Sequence, residues 1–442
     1  MSESGLSVVR RSAVCHGEPD RVKCYAAATD PTSRTHLLMG NSSQNSVRPS
    51  ESEKAVLGVI LLGRINLNIP VRLTYFFLPA IGRGLGVSLA TASVLVSVRS
   101  LTGVAAPLFG ALSDRLGGRR VMILGLTLLV LGAALIAGLP WYGTALLGFG
   151  IFGLAKSAYD PAMQVYVGQQ VPYERRGRAL GMVELAWSGS LLGMPLCGWL
   201  IERVGWSAPF GLIAFVGVLA WWLTRRGLPS RPKREGAGQK GDTRRESLTA
   251  LLRTLGQLVQ DRDARLALAI SALLTVAQDN LMVVYGAWME DRFGLTVTTL
   301  GIVTLVFGAA EMVAELGVAL LSDRIGKRRA VFISLILTGC GYLLLPRLTQ
   351  SLALALAGTA FVVLAFEFSI VGLIPIISGL NATARGTLMS LNVAATSVGR
   401  MVAAPVAVAL YRSGDLSRNG PVSAAVCVLL IVLLSRLQER GH

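Results

Sequence analysis

Histidine is nearly absent from this chain, with three among 442 residues, and none of His16, His36 and His442 falls in an apolar stretch. Membrane-embedded metal or acid–base chemistry built on imidazole therefore has no residues to work with. Cysteine is scarce too. Cys197, Cys340 and Cys427 lie in apolar runs and Cys15 and Cys24 in a polar N-terminal stretch, so no disulfide framework is implied. The phosphate loop G-x-x-x-x-G-K-[ST] does not occur, which excludes an ATP-driven pump, and neither does the nucleophile elbow G-x-S-x-G. "GRGLG" at Gly82 to Gly86 is too short for a phosphate cradle. With no catalytic constellation or metal-ligand spacing, the chain reads as a non-enzyme without metal or organic cofactor.

Charge is also in short supply: 15% of residues are Asp, Glu, Lys or Arg, against 52% hydrophobic, and mean hydropathy is +0.58. A soluble protein of this size cannot cover its core with so little polar surface. What the chain has instead is long apolar runs. A bilayer-spanning helix needs about 20 such residues. Twelve segments qualify: 55–81, 88–112, 120–139, 141–170, 177–202, 207–225, 264–289, 297–321, 330–347, 350–379, 386–411 and 420–436. The expected class is an all-α membrane protein of twelve transmembrane helices.

The formal charge of +17 is distributed by loop. Basic residues gather after the second, fourth, sixth and eighth spans: Arg115, Arg119 and Arg120; Arg175, Arg176 and Arg178; the run from Arg225 to Arg265; and Arg324, Lys327, Arg328 and Arg329. The opposite loops, such as "LPWYG" at Leu139 to Gly143, are short and nearly uncharged. By the positive-inside rule both termini are cytoplasmic and the chain is a multi-pass protein of the cell (inner or plasma) membrane. Nucleic acid is not an expected partner, because no basic patch is interleaved with aromatics. The expected partners are the lipid bilayer and a small-molecule substrate, with a monomeric assembly.

Residues 1–54 form a polar tail without an apolar signal core, with Met39 an alternative start. Residues 55–225 and 264–436 form two six-helix bundles. Residues 226–263 between them are a charged linker with a short amphipathic helix expected over Ser247 to Val259, and 437–442 are a tail. The bundles look like repeats. "SDRLGGRR" at Ser113 to Arg120 returns 209 residues later as "SDRIGKRR" at Ser322 to Arg329, and Arg176-Gly177 returns at the same offset as Arg385-Gly386. Transporters built from two related halves around a midplane site have this organisation.

"GALSDRLGGRR", Gly110 to Arg120, closely resembles the signature loop of the major facilitator superfamily, with "ALLSDRIGKRR" as its second-half copy. The resemblance implies a gating role for Gly110, Asp114, Arg115, Gly117, Arg119 and Arg120, and for Asp323, Arg324, Gly326 and Arg328. Physically, Asp114 at a helix end suits a neighbouring helix N-terminus, and the arginines suit acids or lipid phosphates. In span five, "GSLLGMPLCG" resembles the antiporter motif of proton-coupled drug exporters through Gly189, Gly193, Pro195 and Gly198, but Met194 stands between Gly193 and Pro195. The span-four arginine and span-one aspartate of those exporters have no counterpart here.

Ionisable residues inside spans cost about 2.5–3.5 kcal/mol each on insertion scales and face cavities or partners. Arg64, Asn68 and Arg72, and likewise Lys156, Asp160 and Gln164, stand at i, i+4, i+8 and form polar stripes. Depth places Arg64, Asp160 and Glu184 together, with Arg72, Arg99 and Lys156 nearer the midplane, facing Asp279, Glu367 and Arg400 of the second half. Candidate substrate ligands are Arg72, Arg99, Lys156, Tyr75, Tyr159 and Arg400, which would favour a carboxylate or phosphate. Glu367, Asp279, Glu184 and Asp160 are the candidate proton carriers, whereas Glu311 and Glu315 read as a structural ion-pair element. The expected function is secondary active transport of a small organic solute by alternating access, as proton-coupled efflux. A lipid or lysolipid transporter of the same fold is the alternative, followed by a non-transporting sensor.

Overall fold

The computed structural model describes residues 51–171, 179, 181–229, 260–380, 385–412 and 414–437, and every regular element among them is helical. The N-terminal tail, the amphipathic helix expected at 247–259 and Arg176-Gly177 lie outside the described residues, as do the side chains of Asp114 and Asp323.

The first group of helices comprises α1 (Glu51–Phe76), α2 (Leu78–Leu85), α3 (Leu89–Thr102), α4 (Ala106–Leu116), α5 (Gly118–Gly138), α6 (Tyr142–Gln170), α7 (Ala186–Gly189), α8 (Met194–Arg203) and α9 (Ala208–Gly227). A second group follows: α10 (Arg262–Phe293), α11 (Val297–Ile325), α12 (Lys327–Leu344), α13 (Leu352–Gly379), α14 (Arg385–Leu410) and α15 (Asn419–Arg436). Ten of the described helical segments are long and apolar enough to cross a membrane. Two of the expected segments fall short for different reasons: α6 carries Lys156, Asp160 and several glutamines, and the segment expected at 177–202 is broken.

The breaks follow proline. The first apolar run stops at Phe77 and restarts as α2 with Pro79 in its first turn; α4 restarts with Pro107 after a 3₁₀ turn at Gly103–Ala105; α8 restarts with Pro195 after a 3₁₀ turn at Ser190–Gly193. Proline has no N–H to give and loses nothing in a first turn, so each of these restarts takes one there, whereas Pro70, Pro161, Pro375 and Pro405 sit inside continuous helices. Side-chain caps fix other starts: the Ser88 hydroxyl accepts the Thr91 N–H at 3.1 Å and Ser351 that of Leu354 at 3.3 Å.

The duplicated basic turn has a structural reason in both copies. Gly117 and Gly326 sit at φ 86° and 90°, in the region that L side chains resist, and link α4 to α5 and α11 to α12. Two residues beyond each glycine, an arginine reaches the last turn of the final helix of its own group. Arg119 donates to the carbonyls of Thr224 and Arg225 at the end of α9, and Arg328 to those of Leu434 at 2.8 Å and Ser435 at 3.0 Å at the end of α15. A guanidinium there satisfies carbonyls that no helical N–H can reach and complements the negative end of the helix dipole.

The two groups meet along α3 with α14, α8 with α11 and α1 with α10. Away from the basic turns the contact is tight. Built Cβ atoms on Gly198 and Gly301 would each stand 2.6 Å from a carbonyl across the seam, of Val297 and Met194 respectively. Phe76 of α1, Tyr285 of α10 and Phe307 of α11 pack edge to face with ring centroids 4.7–5.7 Å apart. Arg83 closes the same end through a two-pronged pair with Glu290 at 2.6 and 3.2 Å, and Glu202 accepts the Thr298 N–H at 2.8 Å.

Candidate functional site

Between the groups, on the basic-turn side of this seal, lies a cavity of about 630 Å³. Its walls come from α1, α3, α4, α6, the segment before α7, α13 and α14. Four cations line it, Arg64, Arg99, Lys156 and Arg400, but only two acids, Asp160 and Glu184. Phe152, Ile374 and Met389 supply apolar wall, and Ser100, Ser157, Asn392 and Ser397 supply polar groups.

The polar stripes of α1 and α6 face one another, so two of the four cations are committed. Arg64 donates to Glu184 at 2.7 Å and to the Val183 carbonyl at 2.8 Å, and stands 3.5 Å from Asp160. Lys156 bonds Asp160 at 2.8 Å, one turn along its own helix, and the Asn68 side-chain oxygen at 2.7 Å. The trio that depth brings together in the sequence thus forms one network, with Lys156 as an added member. Asn68 was legible as part of the stripe, though not as a ligand of Lys156.

Arg72 points elsewhere. It does not line the cavity but grips Glu311 of α11 through both guanidinium nitrogens, at 2.9 and 2.5 Å, with both partners buried. Its cation lies over the Trp187 ring at 3.9 Å and donates to the Trp187 carbonyl at 3.2 Å and Ser190 at 3.4 Å. Tyr75 likewise turns across the seam, its hydroxyl 3.0 Å from Asp279 of α10, and Tyr159 bonds the Ile60 carbonyl at 3.0 Å within the first group. Glu367 on α13 is buried and makes no described hydrogen bond or ion pair, within electrostatic range of Glu311, Glu315, Arg72 and Arg400.

Arg99 and Arg400 are the two lining cations with no carboxylate within ion-pair distance among the described residues. Arg99 is 95% buried, and one of its terminal nitrogens is spent on the Val71 carbonyl at 3.2 Å and the Thr74 hydroxyl; the other, Nη2, has no hydrogen-bond partner. Arg400 Nε is also buried and unpartnered. The two come from different groups yet lie close along their helices, because Ser97 of α3 donates to the Met401 carbonyl of α14 at 2.9 Å and a Cβ on Gly103 would strike Ser397. Asn392, Thr396 and Arg400 repeat the i, i+4, i+8 spacing of the other two stripes, a signal that marked α14 as cavity-facing although only Arg400 was singled out.

The chain matches the Major Facilitator Superfamily over residues 60–277 and 267–441. It is 26% identical over 339 residues to the class E tetracycline resistance protein of Escherichia coli, covering 74% of this chain and 80% of that one. To the uncharacterized transporter YwfA of Bacillus subtilis it is 23% identical over 352 residues, 77% of this chain and 82% of the relative. The putative niacin/nicotinamide transporter NiaP of the same species is 29% identical over 192 residues, 43% of this chain and 48% of that protein. An all-helical chain with a charged cavity between two helix groups, matched along nearly its whole apolar length, belongs to the Major Facilitator Superfamily and is a multi-pass membrane transporter, not an enzyme.

Proposed function

We propose that this protein is a proton-coupled exporter of a small organic solute, working by alternating access with twelve spans and both termini on the cytoplasmic side of the plasma membrane. The observation that carries the reading is the cavity itself: it lies between the helix groups, on the basic-turn side of a seam closed by the Phe76, Tyr285 and Phe307 rings and the Arg83–Glu290 pair. A solute site that reaches one side while the other is packed shut is one of the two states alternating access requires. Basic loops on that side make it the cytoplasmic one.

Efflux with proton entry is supported by the tetracycline resistance proteins among the relatives. Of the four candidate carriers, Asp160 and Glu184 are held by Arg64 and Lys156 in the cavity wall, so a proton there competes with an ion pair. Glu367 and Asp279 are buried without one, which suits a group that takes up a proton during the cycle. Asp114 and its loop act as the gate between bundles.

The test is transport in proteoliposomes loaded with a mixed small-molecule extract, read by mass spectrometry with and without an imposed pH gradient. Solute moving against its gradient only when protons flow the other way is the expected result. Movement indifferent to the pH gradient removes proton coupling, and solute moving with the protons removes export. Asp114→Asn should insert normally and transport slowly; wild-type turnover at equal expression would sink the gate.

A further inference from the structure

We infer that Arg99 and Arg400 form a clamp, one guanidinium from each helix group, that binds the carboxylate of a singly charged organic anion. The inference rests on the transporter reading above and names the chemistry of its cargo.

Sequence alone leaves several cations as equivalent candidates; the structure separates them by what each has left to give. Arg72 spends its guanidinium on Glu311, Trp187 and Ser190, Arg64 on Glu184, Asp160 and Val183, and Lys156 on Asp160 and Asn68. Arg64 Nε also lacks a hydrogen-bond partner, but each of the three has its charge matched by a carboxylate at 2.5–3.5 Å. Arg99 and Arg400 both line the cavity, carry no ion pair, and keep Nη2 and Nε respectively without a hydrogen-bond partner. An unmatched buried guanidinium N–H loses the full solvation of a charged donor, a cost that a bound oxyanion removes.

Position supports the pairing. Ser97 to Met401 is a direct bond between α3 and α14, and the two arginines stand two residues and one residue from it, at the inner edge of the seal. A carboxylate held by both ties the helix groups together at the level where they must separate when the cavity changes sides. Ligand binding is thereby linked to which state is stable.

Local charge selects the valence. Asp279 is within electrostatic range of both arginines and closer to neither than ion-pair distance, its carboxylate taken by the Tyr75 hydroxyl. Glu367 also lies within electrostatic range of Arg400, so when it holds the proton assigned to it above, two guanidiniums stand against the one carboxylate of Asp279 and leave room for one negative charge. A carboxylate matches that; a dianionic phosphomonoester would leave buried negative charge in excess. Phe152, Ile374 and Met389 in the same wall give the apolar body of the anion a surface to cover.

The experiment is binding to the purified full-length transporter in detergent, by thermal stabilisation and calorimetry, with matched probes: benzoate against benzamide, hexanoate against hexanamide, and phenyl phosphate. The acids are expected to stabilise the protein while the amides do not, and Arg99→Gln and Arg400→Gln to weaken acid binding at least tenfold each, with Arg400→Lys in between. Because Arg99 also braces Val71 and Thr74, Arg400→Gln decides the matter if Arg99→Gln is unstable. Amides binding as well as acids, phenyl phosphate binding better than both acids, no acid binding, or Arg400→Gln binding unchanged would each overturn the clamp. These readouts need no transport, so binding without proton-driven movement would fault the transport reading and leave the clamp standing.

Discussion

The Arg72–Glu311 pair offers the sharpest test of how the two groups are held in this state. It joins residues 239 apart in sequence through two short hydrogen bonds, with both partners nearly inaccessible. Breaking a buried pair by removing one member costs about 3–5 kcal/mol, chiefly because the other charge is left uncompensated, whereas removing both members is close to neutral. The two single variants should differ. Glu311→Gln leaves Arg72 with the Trp187 carbonyl, Ser190 and the indole face, so its cost falls at the low end. Arg72→Gln leaves Glu311 with no other partner among the described residues, and its cost falls at the high end. If the pair exists only while α1 and α11 are together, a loss of about 3 kcal/mol shifts the equilibrium between states more than a hundredfold at 1.4 kcal/mol per factor of ten. The assay is a distance distribution between spin labels at positions 141 and 350 in a cysteine-free background. Both positions are exposed loop sites, one in each helix group. A single broad distance shift in Arg72→Gln, a smaller one in Glu311→Gln and a return toward wild type in the double variant are expected. Equal distributions in all four proteins, or a double variant worse than either single, would refute the assignment of the pair as the fastener of this state.

Three further outcomes follow from the geometry. Gly117→Ala and Gly326→Ala each place a Cβ on a left-handed residue and should lower stability by about 1–2 kcal/mol, read as a fall in melting temperature; unchanged melting in both would remove the backbone reason for the repeated glycine. Arg119→Ala and Arg328→Ala should cost about 1 kcal/mol each and speed hydrogen exchange in the last turns of α9 and α15 respectively, with no crossover between groups. Gly153→Ala drives a Cβ into the Arg99 carbonyl and the Thr102 hydroxyl, so it should weaken carboxylate binding in parallel with Arg99→Gln while leaving the Arg72–Glu311 fastening, and hence the 141–350 distance, as in wild type.

Much of the fold was legible because its signals are local. Apolar runs of bilayer length, punctuated by basic turns, require only composition and the rise of a helix. Their interruptions at Phe77 and Gly103 were missed: Pro79 and Pro107 stand there, but Pro70, Pro161, Pro375 and Pro405 lie within continuous helices, so neither a proline nor a hydropathy window alone marks a break. The stripe from Lys156 to Gln164 lines the cavity as a set because spacing on one helix fixes which side chains share a face. That from Arg64 to Arg72 was not uniform: Arg64 lines the cavity while Arg72, two turns on, crosses the seam to Glu311. No periodicity within α1 reports that change, since it is decided by where α11 lies.

The same distinction accounts for the function of the repeat. Glycine and arginine recur at 117 and 119 and at 326 and 328 because each helix group must turn sharply and then anchor the end of its own last helix, a task internal to the group. Duplication preserves such features, because both copies face the same local demand. Substrate recognition places the opposite demand on the halves. Position 99 of the first unit and position 400 of the second lie on helices that meet each other, not on equivalent places of one repeat, and an anion held between them sees two different surfaces. The likeness between the two helix groups is therefore kept in the turns that each group needs for itself and given up in the side chains that face the cavity.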